Sequence, residues 1–78
     1  MKPQYCLIKL NGINDVLKFV KVTSNLPYQV DLGCGMYLVN AKSLMGILSL
    51  DLKKTLTVYA YTHDDIEEKF KKWRKKND

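Results

Sequence analysis

Ser43 is the residue in this sequence best placed to carry a covalent modification. It lies within Asn40–Leu48, where Leu44, Ile47 and Leu48 recur at helical spacing. The pattern predicts a short helix that ends near Asp51 and has Ser43 as its N-cap. A phosphate on this hydroxyl would carry about −1.5 to −2 charges and would face the free N–H groups of the helix start. The alternative is that Ser43 only caps the helix, a role worth about 1 kcal/mol.

The same stretch carries more apolar side chains than a helix of two turns can bury. Ile47 and Leu50 are expected to pack against a sheet, and Met45 is expected to be exposed. An exposed apolar residue beside a capping serine indicates a contact surface, and methionine suits one that must adapt to several partners. The residues predicted to bind a protein partner are Lys42, Leu44, Met45, Gly46 and Leu48, and we call them the Lys42–Leu48 surface. Lys42 adds a cation near Ser43, and Gly46 allows another group to approach closely.

Arrangements typical of enzymes are missing from the sequence. We find no serine–histidine–acid set, no metal-ligand cluster and no glycine loop of the kind that cradles phosphate. His63, the only histidine, has acids beside it and is interpreted as a surface or helix-start residue. The segment 33–35, Gly-Cys-Gly, is interpreted as a hairpin turn. We therefore predict no enzymatic activity, no metal and no cofactor.

Length and composition predict one domain spanning residues 1–78. No segment reaches the roughly 18 apolar residues of a membrane span, and no signal-peptide core follows the first four residues, so we expect a cytoplasmic protein. Cys6 and Cys34 show neither CxxC nor metal-ligand spacing, and we expect both thiols to be reduced.

The net charge of +5 is concentrated near the C-terminus, in the basic run from Lys69 to Lys76. Such a run could attract nucleic acid or an anionic membrane. Only Trp73 among the aromatic residues lies within the run, whereas proteins that stack on bases interleave several. We therefore interpret the basic residues as solubilising and dipole-complementing side chains, and do not expect nucleic acid or membrane binding.

Hydrophobic periodicity predicts seven elements in the order β-α-β-β-α-β-α. The predicted strands are 4–10, 29–32, 36–39 and 55–61; the first helix is capped by Asn14 or Asp15 and runs to about Ser24. The last helix opens over 62–65, with Asp64 and Glu67 as a capping pair, and its apolar stripe is Ile66, Phe70 and Trp73. This order predicts an α+β open-faced sandwich, a four-stranded antiparallel sheet covered on one face by helices.

The segment Val39–Leu50 resembles the regulatory-serine segment of HPr, the histidine-containing phosphocarrier of the bacterial sugar phosphotransferase system. It is most similar to the Asn-Ala-Lys-Ser form found in the catabolite-repression HPr-like proteins. The resemblance implies a bacterial protein of the HPr fold, in which a dedicated serine kinase modifies Ser43. It also implies that partner proteins, a transcription factor among them, dock on the Lys42–Leu48 surface.

The resemblance fails where the phosphocarrier chemistry lies. The family has Gly-Ile-His-Ala-Arg-Pro at the start of its first helix, where free N–H groups and the arginine stabilise a phosphohistidine. This chain has Gly-Ile-Asn-Asp-Val-Leu at 12–17, so that Asn14 stands at the histidine position and Asp15 would repel phosphate. We therefore predict a regulatory or docking module that is switched at Ser43 and does not transfer phosphohistidine.

Two alternatives remain open at this point. The fold could be kept for association with an unrelated protein, with the serine motif retained as a folding element. Alternatively, the basic residues from Lys69 to Lys76 could bind an anionic surface. Salt-sensitive binding that is lost when these lysines are neutralised, and that is indifferent to Met45→Ala, would favour the second alternative.

Overall fold

The computed structural model describes residues 1–75, and its elements follow the predicted order. They are β1 (Gln4–Ile8), α1 (Gly12–Ser24), β2 (Val30–Cys34), β3 (Tyr37–Asn40), α2 (Leu44–Leu48), β4 (Leu56–Ala60) and α3 (Ile66–Lys69), followed by a 3₁₀ turn (Lys71–Trp73). Within these residues, no helix combines the length and the apolar character needed to cross a membrane. The predicted α+β class is confirmed.

The four strands form one antiparallel sheet in the order β1-β4-β2-β3. Val58 in β4 lies between Cys6 of β1 and Leu32 of β2, and all three side chains are buried. The alternation predicted for β4 is confirmed, because Leu56, Val58 and Ala60 are inaccessible to solvent. This face of the sheet and the helices share one core, whose largest fully buried residues include Phe19, Phe70, Ile8, Leu10, Leu32 and Ile47.

The predicted N-caps of the first and third helices are wrong, by three or four positions in the first helix and by one position in the third. The first helix begins at Gly12, after Asn11, and the Asp15 carboxylate reaches back to accept a hydrogen bond from the Asn11 N–H at 2.8 Å. Gly12 has a φ of +85°, which glycine tolerates, so the chain turns into the helix earlier than predicted. The third helix is capped by Asp65, not Asp64, and the Asp65 side chain accepts from the Glu68 N–H.

The third helix is also much shorter than predicted, because the chain after it pairs with β1. The Lys9 N–H donates to the Trp73 carbonyl at 2.8 Å, and the Lys75 N–H donates to the Leu7 carbonyl at 3.0 Å. These backbone groups cannot serve a helix and a neighbouring strand at once. The predicted stripe is nevertheless confirmed, since Ile66, Phe70 and Trp73 are buried.

The hairpin between β2 and β3 turns two residues later than the predicted Gly33-Cys34-Gly35 turn. Gly33 and Cys34 belong to β2, and the loop is Gly35-Met36. Of the two loop residues only Gly35 has a positive φ, +58°, the pattern of a type II′ turn. Gly33 has a packing reason instead: a Cβ atom built on it would lie 3.0 Å from the Tyr59 ring.

Both cysteines are free and buried. Burial of Cys6, reinforced by the negative charge of Glu67 and opposed by Arg74, raises the pKa of its thiol from 9.0 to about 11. The unfolded chain therefore loses this proton at a lower pH than the folded chain, and the folded state loses stability as pH rises through that window.

We expect Cys6→Ala to remove part of this pH dependence. Between pH 9 and about 11 its free energy of unfolding should fall less steeply than that of the wild-type protein, as measured by urea unfolding at several pH values. The pH dependence that the two proteins share cancels in this comparison, so only the difference between the two slopes reports on Cys6. Parallel slopes would contradict the prediction.

Candidate functional site

Ser43 caps α2 as the sequence predicts. Its backbone is extended, with φ −103° and ψ 113°, and its Oγ accepts a hydrogen bond from the Gly46 N–H at 3.1 Å. The side chain is half-buried. The helix ends at Leu48, earlier than predicted, because Ser49 and Leu50 donate to the carbonyls of Gly46 and Ile47 in tighter turns.

The loop before Ser43 is held from two sides. The Ala41 N–H donates to the Val30 carbonyl at 2.9 Å, and the buried Thr23 hydroxyl donates to the Ala41 carbonyl at 2.8 Å. The Asn40 side chain also accepts from the Lys42 N–H at 2.9 Å. Ser43 is therefore positioned by β2 and by α1, and not by its own short helix alone.

The charged end of Lys42 is bound to a backbone carbonyl and not to Ser43. Its ammonium donates to the Leu26 carbonyl, in the loop after α1, at 2.8 Å, and the side chain is half-buried. The positive charge that the sequence led us to expect beside Ser43 is thus engaged at the end of α1.

The apolar residues of α2 divide between core and solvent. Ile47 is fully buried and Leu50 is buried, as expected, whereas Met45 is 80% exposed and Leu48 is 44% exposed. Leu44 is half-buried and packs against the core. The residue that approaches Gly46 is Val39, whose Cβ would lie 3.3 Å from an added Cβ. The outward part of the Lys42–Leu48 surface is therefore Met45 and Leu48.

An exposed residue of α1, Ile13, extends this apolar surface and was missed at the sequence level. Ile13 is 51% exposed and Leu17 is 48% exposed, one helical turn apart. Ile13 and Leu48 line one groove of about 500 Å³, together with Leu50 and Leu52. The sequence contained a signal for this, because Ile13 and Leu17 are spaced i, i+4 along the helix. They do not share the face of α1 that carries the buried Val16 and Phe19.

Asn14 and His63 lie at opposite ends of β1. Asn14 is exposed in the first turn of α1, which follows the end of β1, and Asp15 is tied to the Asn11 N–H beside it. His63 is exposed in the loop after β4, next to the start of β1, where the Gln4 amide donates to the carbonyls of Thr62 and Asp64. The structure therefore does not bring the only histidine of the chain to the start of α1.

The basic C-terminal residues are partly paired. Lys71 lies 3.0 Å from a Glu68 carboxylate oxygen, and Arg74 lies 3.3 Å from Glu67. Lys76, the last residue of the predicted basic run, lies outside the described residues. Over residues 1–75, no group of three or more histidine, cysteine or acidic side chains could hold a metal ion.

Comparison with known proteins identifies the fold and the family. No family model matches the sequence, and no curated protein does. The crystal structure of HPr-C-His from Thermoanaerobacter tengcongensis superposes with a TM-score of 0.69 at 30% identity, over 91% of this chain and 84% of that chain. With the predicted order of elements, the serine-capped α2 and this likeness in sequence and structure together, the chain belongs to the HPr family.

Proposed function

We propose that this protein is a non-enzymatic regulatory member of the HPr family that docks partner proteins in the bacterial cytoplasm. The observation that carries the proposal is the exposure of Met45 and Leu48 directly beside the Ser43 cap. Apolar side chains held in solvent by a fixed helix form a preorganised contact, and their burial on docking is favourable. The groove between Ile13 and Leu48 adds a concave part to this surface.

Phosphorylation of Ser43 would switch this surface. The Ser43 Oγ acts as an acceptor toward the Gly46 N–H, so its own proton is not needed for the cap. A phosphate there would add about −1.5 to −2 charges at the edge of an apolar patch, next to the free N–H groups of the helix start. We propose the serine kinase of the phosphotransferase system as the modifying partner and a transcription factor as a protein that reads the switch.

We further propose that the phosphohistidine relay is absent. An asparagine side chain has no nitrogen that holds phosphate as imidazole does, and Asn14 has the carboxylate of Asp15 next to it. The negative charge of Asp15 in the first turn of α1 repels an incoming phosphoryl group and offsets the partial positive charge of the helix start.

Two exposed methionines offer a matched test of the docking surface. We expect Met45→Lys to weaken binding to the purified serine kinase at least tenfold, about 1.4 kcal/mol, because contact residues at the centre of an interface dominate its affinity. Met36→Lys places the same charge at a residue that is 98% exposed on the β2–β3 hairpin, and it should bind as the wild-type protein does. Binding is measured by titration calorimetry; equal affinity of both variants would contradict the proposal.

A further inference from the structure

The sheet has a second face, opposite the one that packs against the helices, and we call it the open face. Successive side chains of a strand point to opposite faces, so the residues between the buried ones belong to it. The strand register arranges them in rows across the sheet. One row consists of Tyr5, Tyr59, Asp31 and Asn40, and the next of Leu7, Thr57, Gly33 and Leu38. Ser43 and Met45, on α2, lie on the other side of the sheet.

Three tyrosines cluster on the open face. Tyr5 of β1 and Tyr59 of β4 lie directly opposite each other, and such cross-strand pairs have Cβ atoms about 4.5 to 5.5 Å apart. The Tyr61 N–H donates to the Gln29 carbonyl, which continues the pairing of β4 with β2 and places Tyr61 on the same face as Tyr59. Tyr5 is 68% exposed, and the half-buried Tyr59 and Tyr61 line a groove of about 420 Å³. We call these three residues the tyrosine platform.

Gly33 leaves room for one ring of the tyrosine platform. A Cβ atom on Gly33 would lie 3.0 Å from the Tyr59 ring, so this ring lies across the backbone of β2. Covering a strand glycine with an aromatic ring also stabilises a sheet, and this role is enough to explain Tyr59. It does not explain Tyr5, whose ring is largely exposed on the neighbouring strand.

Hydrogen-bonding side chains continue the row that Tyr5 and Tyr59 begin. Asp31 is the Cα partner of Tyr59, and Asn40 is the Cα partner of Asp31. The Asp31 carboxylate accepts a hydrogen bond from the Gln29 amide at 3.0 Å. Amide and carboxylate groups beside aromatic rings are suited to the donors and acceptors on the edges of stacked bases.

Lysines border the tyrosine platform. The Lys75 N–H donates to the Leu7 carbonyl at 3.0 Å, and Lys75 lines a groove along the edge of β1 together with Tyr5 and Leu7. Lys9 follows Leu7 by two residues, and its ammonium donates to the Lys53 carbonyl, shortly before β4. Among the residues that the structure describes on the open face and its edge with β1, Asp31 is the one acid, so cations outnumber acids there.

We propose that the open face binds single-stranded RNA. Bases stack on Tyr5 and Tyr59, and the phosphates lie toward Lys9 and Lys75, which is how aromatic and basic side chains on a four-stranded sheet hold a single strand. The net charge of +5 favours a polyanion as the ligand. Asp31 favours RNA over DNA, because a carboxylate beside the rings can accept a hydrogen bond from a ribose 2′-hydroxyl. The basic run lacks neighbouring aromatic residues in the sequence, but the pairing of residues 73–75 with β1 supplies them.

The distribution of apolar side chains on the open face favours RNA over a protein as the ligand. The core of a protein–protein interface is apolar and poor in charge. Leu7 and Leu38 are the exposed leucines of this face, and they lie on opposite edge strands, with Thr57 and Gly33 between them. The centre of the face therefore consists of a ring, a hydroxyl and a carboxylate, and not of a continuous apolar patch.

Fluorescence anisotropy with a labelled, unstructured RNA of about 12 nucleotides tests the proposal. The wild-type protein should bind it, with an affinity that falls as the salt concentration rises. Tyr5→Leu keeps an apolar side chain but removes the ring, and it should raise the dissociation constant at least about fivefold. Tyr5→Phe keeps the ring and should bind as the wild type does. A wild-type protein that does not bind, or a Tyr5→Leu variant that binds equally well, would overturn the proposal.

Two lysines offer a matched test of the phosphate contacts. Lys75→Glu should weaken binding and reduce the slope of log affinity against log salt concentration, because a phosphate contact is lost. Lys21→Glu makes the same change in net charge at an exposed position of α1, on the other side of the sheet, and should have little effect. Equal losses in the two variants would show attraction by net charge alone and would overturn the assignment to the open face.

Single-stranded DNA of the same sequence tests the choice of RNA. The wild-type protein should bind this DNA more weakly than the RNA, and Asp31→Ala should reduce the difference, because it removes the acceptor for the 2′-hydroxyl. Equal affinity of the wild-type protein for RNA and DNA would overturn the assignment of RNA as the ligand. All these variants leave Ser43 and Met45 unaltered, so failure of this proposal and failure of the docking proposal are distinguishable.

Discussion

Incubation with ATP and the serine kinase of the phosphotransferase system should add one phosphate to this protein, and Ser43→Ala should abolish the reaction. Ser43 is half-exposed, it precedes a helix whose first N–H groups can stabilise the added charge, and the loop before it is held by Val30 and Thr23. Intact-mass spectrometry measures the product directly.

Ser49 provides the matched control for this experiment. It lies just after the same helix, it is exposed, and its hydroxyl donates to the Gly46 carbonyl at 2.6 Å. Ser49→Ala should be phosphorylated as the wild type is. This result would assign the phosphate to the N-cap of α2 and exclude Ser49, at the C-terminal end of the helix, as the modified residue. Ser43→Ala should remain folded, because loss of a cap costs about 1 kcal/mol, and a thermal melt checks this.

A parallel incubation with phosphoenolpyruvate and Enzyme I should leave the protein unmodified. Asn14 is no substitute for a phosphate-carrying imidazole, and His63 lies at the other end of β1. Phosphate acquired in this arm would refute the proposed loss of the relay. If neither arm adds phosphate, Ser43 is only a helix cap and the proposed switch is wrong.

Trp73→Ala should destabilise the fold by about 3 to 5 kcal/mol. Trp73 is buried, and its ring meets Phe19 edge-on at 5.3 Å and Phe70 at 6.4 Å. At about 0.05 to 0.15 kcal/mol per residue, a chain of this length has roughly 4 to 12 kcal/mol in total, so the loss would be a large share of it. The substitution would also loosen the segment that pairs with β1.

Lys72→Ala is the control for that measurement. Lys72 is the exposed neighbour of Trp73, and its ammonium lies 5.7 Å from the indole ring, an exposed contact worth about 0.5 to 1 kcal/mol. Urea unfolding followed by circular dichroism compares the two variants with the wild type. A loss below about 1 kcal/mol for Trp73→Ala would show that the C-terminal segment does not belong to the cooperative core.

Local sequence determined the elements whose caps and hydrophobic patterns lie within one short segment. Ser43 and the apolar spacing after it specify the start of α2, because the cap and the helix lie within one short segment. The alternation of Leu56, Val58 and Ala60 specifies which face of β4 is buried, since successive side chains of a strand point to opposite faces. The exposure of Met45 follows from the same reasoning, because Ile47 already occupies the core side of a five-residue helix.

Tertiary structure decided the features that depend on distant parts of the chain. The basic C-terminal segment has the composition of a helix, yet α3 stops at Lys69 because the carbonyl of Trp73 and the N–H of Lys75 bond to β1. Gly33 has the local signature of a turn residue, yet it lies in β2, where the Tyr59 ring of β4 leaves no room for a side chain. The apolar surface also includes Ile13, which becomes a neighbour of Leu48 only when α1 and α2 pack together. In each case the competing interaction joins residues far apart in sequence, and local patterns carry no record of such contacts.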